Sequence, residues 1–183
     1  TDTLRQRYDE VADLYTGYIA AMVETEEGKI WIGGENNTIT AYNPITRQTT
    51  PVICTACKPG FIHRMFKARN GDIWIANAKN HIVRWDARER RFFPVPLPSW
   101  SWFMENEHVT VFYEDGIGRI WAGTHGAGVF VLHPRTGEIL EHIQADKVFA
   151  PKEPTLNGIY ALLPWNRDTI VAGTANGLCF IDL

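Results

Sequence analysis

Four groups of side chains in this sequence are of types that do chemistry. Cys54 and Cys57 stand as a CxxC, the spacing of dithiol redox sites and of half a zinc site. Redox use needs a following helix to lower the first thiol's pKa, and Lys58-Pro59-Gly60 predicts a turn instead. Zinc needs a second CxxC or a spaced His pair, and the chain has neither. The pair therefore reads as inert or locally disulfide-bonded. The six histidines (63, 81, 108, 125, 133 and 142) show no i, i+2 pair on one strand and no ligand-like spacing to a carboxylate, so no metal is expected. Glu114 and Asp115 fall in a hairpin turn that accounts for the acids. With no GxSxG, no Cys–His signature and no carboxylates paired by the pattern, no catalytic residue and no cofactor is assigned.

The fourth group is aromatic. Pro98-Ser99-Trp100-Ser101-Trp102-Phe103 sets three large rings in one loop. Other loops carry Glu35-Asn36-Asn37, Lys79-Asn80, His125 and Asn176. Ring faces with amide, carboxylate and imidazole groups beside them are what a sugar ring requires: stacking on its C–H surface and bidentate polar contacts. The competing reading is that Trp100 and Trp102 cover a sheet edge or meet a neighbouring unit.

The elements that must position these loops form a repeat. Gly28-Lys29-Ile30-Trp31-Ile32-Gly33, Gly71-Asp72-Ile73-Trp74-Ile75-Ala76 and Gly118-Arg119-Ile120-Trp121-Ala122-Gly123 are three copies of one phrase, and Asp168-Thr169-Ile170-Val171-Ala172-Gly173 is a fourth with valine in place of tryptophan. The spacings are 43, 47 and 50 residues, a period that with short strands indicates a β-propeller. Before each phrase stands an apolar run, as in Ile19–Val23, Ile62–Phe66, Val109–Tyr113 and Ile159–Leu163. These runs lack polar alternation and are expected to be the inner strands, covered on both faces. After each phrase come a third strand and, in three repeats, a polar fourth (Thr49–Ile53, Arg91–Val95, Glu138–Ile143) suited to an exposed edge. The fold expected is all-β: about four four-stranded antiparallel blades, a partial or small propeller. The blades span about 17–57, 58–99, 100–150 and 151–183. Residues 1–16 form an arm or the outer strand of a neighbouring blade, and Cys179, between Leu178 and Phe180, reads as core filler.

In this frame Trp31, Trp74 and Trp121 recur at one structural position and read as packing between blades. The glycines beside them allow close sheet approach; no helix follows to bind a phosphate. Loops between second and third strands and loops joining blades share one end of the ring, where ligand contacts are expected.

Composition excludes some classes of partner. The 183 residues carry a net charge of −3 with basic residues scattered singly, so nucleic acid and anionic lipid are not expected partners. No apolar run reaches the length of a bilayer span. The chain starts at Thr1 without methionine, which fits a mature or excised piece.

The third copy carries a resemblance. Val109–Tyr113 followed by Glu114-Asp115-Gly116-Ile117-Gly118-Arg119-Ile120-Trp121-Ala122-Gly123-Thr124, then Gly128-Val129, resembles the two-component regulator propeller repeat. Asn43-Pro44-Ile45-Thr46 and His133-Pro134-Arg135-Thr136-Gly137 are similar to that family's Asp-Pro-x-Thr-Gly turn. The likeness covers residues 17–183, departing at Ala76, Asn77, Asp168 and Val171. It implies the periplasmic sensor region of a membrane-anchored hybrid histidine kinase, often responding to an oligosaccharide. Neighbouring blades or a second receptor copy would be its protein partners. Members usually have more than four blades, so the resemblance implies a segment of a larger ring. The alternatives are a stand-alone four-bladed interaction platform and a propeller enzyme such as a lyase.

Overall fold

The computed structural model describes residues 18–35, 38–77, 81–98, 108–144 and 157–183. They form fifteen strands and no helix longer than a single turn. The first sheet is β1 (Ile19–Glu24), β2 (Ile30–Gly34), β3 (Ile39–Asn43) and β4 (Gln48–Val52). The second is β5 (Ile62–Lys67), β6 (Ile73–Asn77), β7 (His81–Asp86) and β8 (Arg91–Val95). The third is β9 (Val109–Glu114), β10 (Ile120–Thr124), β11 (Val129–Leu132) and β12 (Ile139–Ile143), and the fourth is β13 (Ile159–Pro164), β14 (Thr169–Thr174) and β15 (Gly177–Asp182). Every sheet is an antiparallel meander in chain order. β1, β5, β9 and β13 pack side by side in series, so the sheets are blades stacked around an axis.

Local sequence explains the meander. The tight turn joining first and second strands ends at Gly28 (φ 71°), Gly71 (φ 86°) and Gly118 (φ 92°), left-handed conformations that glycine adopts without strain. The turn joining third and fourth strands is one device used three times: Asn43 Oδ1, Asp86 Oδ1 and His133 Nδ1 each accept backbone N–H bonds from residues two and three further on. Its closing residue is left-handed in all three copies, at Arg47, Arg90 and Gly137.

Between blades the tryptophans form the packing. Trp31 lies in a cluster with Ile62, Ile73 and Val83 of the second blade; Trp74 lies with Phe112, Ile120 and Phe130 of the third; Trp121 lies with Ile159, Ile170 and Ile181 of the fourth. Full burial of each such side chain stabilises the fold by roughly 2 kcal/mol or more. Coverage on both faces belongs to the second strands, not the first. β6 and β10 are buried at every position, while β1 and β5 have exposed positions. A second strand has a strand on either side and a blade on either face, whereas a first strand turns one edge to the axis.

The series ends open. On the far face of the fourth blade Leu163, Leu178 and Phe180 are 59%, 71% and 60% exposed. Cys179, expected in the core, is an exposed free thiol; β15 is the edge of its sheet among the described residues, so nothing flanks it. Residues 1–17, including the expected arm, lie outside the described residues.

Candidate functional site on the loop face

Every innermost strand starts at the same end of the stack, and the connections between blades and the turns between second and third strands gather there. Each innermost strand also carries one extra residue just after its start. Ala20, His63, Thr110 and Tyr160 have no partner in registers that run on either side of them. Such a bulge re-aims a side chain that the pleat would otherwise place. Ile62 and Ile159 enter the seams and are buried, while the next residues, His63 and Tyr160, join a row of rings.

That row has six members and crosses three seams. Tyr18 meets Phe61 with ring centres 5.9 Å apart, and Phe61 meets His63 at 4.8 Å. His63 stacks on His108 at 4.2 Å and 14°, and His108 on His125 at 5.5 Å and 21°. Tyr160 closes the row, edge-on to His125 at 5.8 Å. Its two ends are open, with Tyr18 65% and Tyr160 47% exposed.

Hydrogen bonds fix the row. His125 N donates to His108 O at 3.0 Å, and Gly128 N donates to Asn157 O at 2.8 Å, tying the β10–β11 turn to the connection entering the fourth blade. A side chain at Gly128 would strike Ile143 O, so only glycine fits. Arg64 Nε donates to Thr110 O at 2.7 Å across the seam below His63, and the Thr110 hydroxyl lies between two carbonyl acceptors, Gly123 O at 3.0 Å and Ile159 O, which share its one proton. Lys58 N donates to Asn77 Oδ1 at 2.8 Å, and the Cys54–Cys57 disulfide (Cα–Cα 5.3 Å) closes the loop that leads to Phe61.

Burial keeps the His63 ring uncharged near neutral pH. Burial, then the neighbouring His108 and Arg64, push the His63 imidazole down to about 4. His125 Nδ1 is buried and has no hydrogen-bond partner among the described residues. A row of ring faces with polar edges stacks on apolar ligand surface and offers ring N and O–H groups alongside. Parallel rings in contact do not converge on one ion, and among the described residues no three His, Cys, Asp or Glu groups do so.

The residues named from sequence separate. His125 stands in the row. Glu35 sits at its opposite end, where its carboxylate accepts from Tyr18 N at 3.3 Å and its own N–H donates to Tyr18 O at 3.1 Å. Trp31, Trp74 and Trp121 lie in the seams. Trp100, Trp102, Phe103, Asn36 and Asn37 lie outside the described residues. Tyr18, Phe61, His63, His108 and Tyr160 were not singled out by sequence. Three of these rings stand immediately before a first strand and two at its second position, but Gly158, Ala20 and Thr110 hold the same places in other repeats, so the sequence columns alone do not mark the row.

Comparison with known proteins bears on the fold. No protein-family profile and no curated protein sequence matches the chain. Among solved structures, the chain is similar to the extracellular domain of the hybrid two component system BT4673 from B. thetaiotaomicron (TM-score 0.68, 19% identity, covering 91% of this chain and 22% of that one). It is similar also to the corresponding domain of BT3049 from the same organism (TM-score 0.68, 14% identity, 92% and 24%). A third likeness is to virginiamycin B lyase from Staphylococcus aureus (TM-score 0.61, 15% identity, 90% and 55%). The chain thus spans 22% to 24% of the length of the first two. At these identities the likeness is one of architecture, an open run of antiparallel β-propeller blades.

Proposed function

We propose that this chain is a ligand-binding segment of an extracytoplasmic sensor propeller, and that the loop-face row receives a carbohydrate. The observation that carries the reading is the ring row from Tyr18 to Tyr160. An aromatic surface crossing three seams matches the C–H faces of an extended oligosaccharide. The likeness to extracellular domains of hybrid two component systems supports the sensor setting, as does the disulfide, which persists in oxidising compartments.

A ligand lying across seams favours one arrangement of adjacent blades over another. Differential affinity of that kind is what could bias a distant kinase in a membrane-anchored parent or between paired receptors. The segment itself does no chemistry in this reading. Saturation-transfer NMR of the intact receptor with a panel of neutral oligosaccharides tests it. Binding lost in His63→Ala and Tyr160→Ala supports the reading. Binding unaltered by both changes, or turnover of a sugar as in a lyase, overturns it.

A further inference from the structure

At the other end of the stack, the seam between the first and second blades holds a cavity of about 280 Å³. Its size lies near the roughly 300 Å³ lower bound of small-molecule sites. The other seams show why it is there. Opposite Trp31 the register places Ala41 and then Thr50. The same two places opposite Trp74 are Arg84 and Phe93, and opposite Trp121 they are Val131 and Glu141. Arg84 is buried, donates to Asp72 Oδ2 at 2.6 Å and lies 5.0 Å over the Phe93 ring. Large side chains thus fill one seam, and small ones leave the other hollow.

The hollow is built of two kinds of wall. Its floor is aromatic: Trp31 and Trp85 meet edge to face at 5.3 Å, and Phe92 backs Trp85 at 4.7 Å. In the next seam the position of Trp85 is taken by Leu132. Its rim is charged and balanced. Glu27 bridges to Arg90 of the second blade at 2.6 Å and to Lys29 at 3.2 Å. Arg90 reaches that place from its left-handed turn position. The carboxylate of Glu26 has no hydrogen-bond or ion-pair partner among the described residues and rests across Gly71, where a Cβ would lie 2.3 Å from its Oε1.

We propose that this seam cavity is a second ligand site, for a single neutral sugar ring. Two carboxylates and two cations at the rim give no net field, so neither an anion nor a cation is preferred. They do supply paired acceptors and donors of the kind that bind vicinal hydroxyls. The partly exposed Trp85 indole supplies the face on which a pyranose C–H surface stacks. The volume admits one ring. The inference does not rest on the loop-face reading, because the two sites lie at opposite ends of the blades and share no residue.

Saturation-transfer NMR and intrinsic tryptophan fluorescence with glucose, galactose, mannose, xylose and arabinose at millimolar concentration test the site, with glucuronate and glucosamine as charged comparators. Two variants locate it. Ala41→Arg with Thr50→Phe installs counterparts of the groups that fill the neighbouring seam, and Glu26→Gln changes one exposed rim group without touching the packing. Expected are binding of at least one neutral sugar, its weakening by about tenfold or more in both variants, and its retention in His63→Ala. Absence of any neutral-sugar signal, preference for a charged sugar, or binding insensitive to Glu26→Gln overturns the proposal. Loss in His63→Ala alone assigns the signal to the loop face and overturns it equally.

Discussion

The Asp115 carboxylate accepts the indole N–H of Trp121 at 3.0 Å, and both residues are at most 2% exposed. The same oxygen accepts Arg119 Nε at 2.6 Å, while Asp115 Oδ1 accepts the backbone N–H of Ile117 and of Arg119. One acid therefore closes the β9–β10 turn, pairs an arginine and sets the rotamer of the tryptophan between the third and fourth blades. The second blade has Ala68 at this place, and Trp74 Nε1 is buried with no hydrogen-bond partner among the described residues. Turn chemistry alone understates what Asp115 does.

Replacing Asp115 by alanine strands buried donors and a half-buried guanidinium, and is expected to lower unfolding free energy by about 3 kcal/mol. Burial raises the pKa of this carboxyl, but the bonds from Trp121 and Arg119 outweigh it and hold the group below its ordinary 3.8. A depressed folded-state pKa gives stability that is present above the unfolded value and lost as pH falls through the folded one. Urea unfolding of Asp115→Asn checks both points. The variant should be less stable at neutral pH and should lose less further stability below about pH 4 than the parent; a parallel acid limb would contradict the assignment.

The glycines two places after Trp31, Trp121 and Val171 differ in what surrounds them. A methyl added at Gly123 would lie 2.7 Å from Val111 Cγ1 and 2.8 Å from Ile159 Cγ2, both in packed positions. At Gly33 the nearest atom is the flexible end of Met65 at 2.6 Å, and at Gly173, on the open face, it is Ala161 Cβ at 3.4 Å. Gly123→Ala is expected to cost about 1 to 3 kcal/mol by overpacking. Gly33→Ala should cost less, and Gly173→Ala should fall within about 0.5 kcal/mol of the parent. Thermal or denaturant unfolding of the three variants gives the order directly. Equal losses at all three would mean that blade approach does not set the requirement for glycine.

Much of this was legible in the chain, and the reasons are physical. The Ile-Trp phrase repeats because every blade must fill the same gap, so Trp31, Trp74 and Trp121 announce the fold. Turn residues announce the meander, because positive φ at Gly28, Gly71 and Gly118 narrows the choice of residue. His63 and Tyr160 were hidden, because a bulge is a fault in register between two strands and leaves no mark in the apolar pattern of one. The seam cavity was hidden for a similar reason. Ala41 and Thr50 are ordinary strand residues until three-strand register sets them beside Trp31, where their counterparts are Arg84 and Phe93. Repeats disclose what blades share, and the ring row and the seam cavity are built from residues that they do not share.

The stacked pair His63–His108 makes the loop face sensitive to acid. Burial is the main cause of the low His63 pKa of about 4; the His108 and Arg64 charges add to it. Between 6.5, its ordinary value, and about 4, the unfolded chain holds a proton on this ring that the folded chain does not. Stability is therefore complete above the unfolded value and declines as pH falls through that window. His63→Phe keeps a ring between Phe61 and His108 and removes the titration. Unfolding free energy measured in steps from neutral pH down to about 4 should show a shallower decline for the variant than for the parent, the difference amounting to less than one proton. Identical slopes would place the ionisable group elsewhere and leave His63 as a packing residue alone.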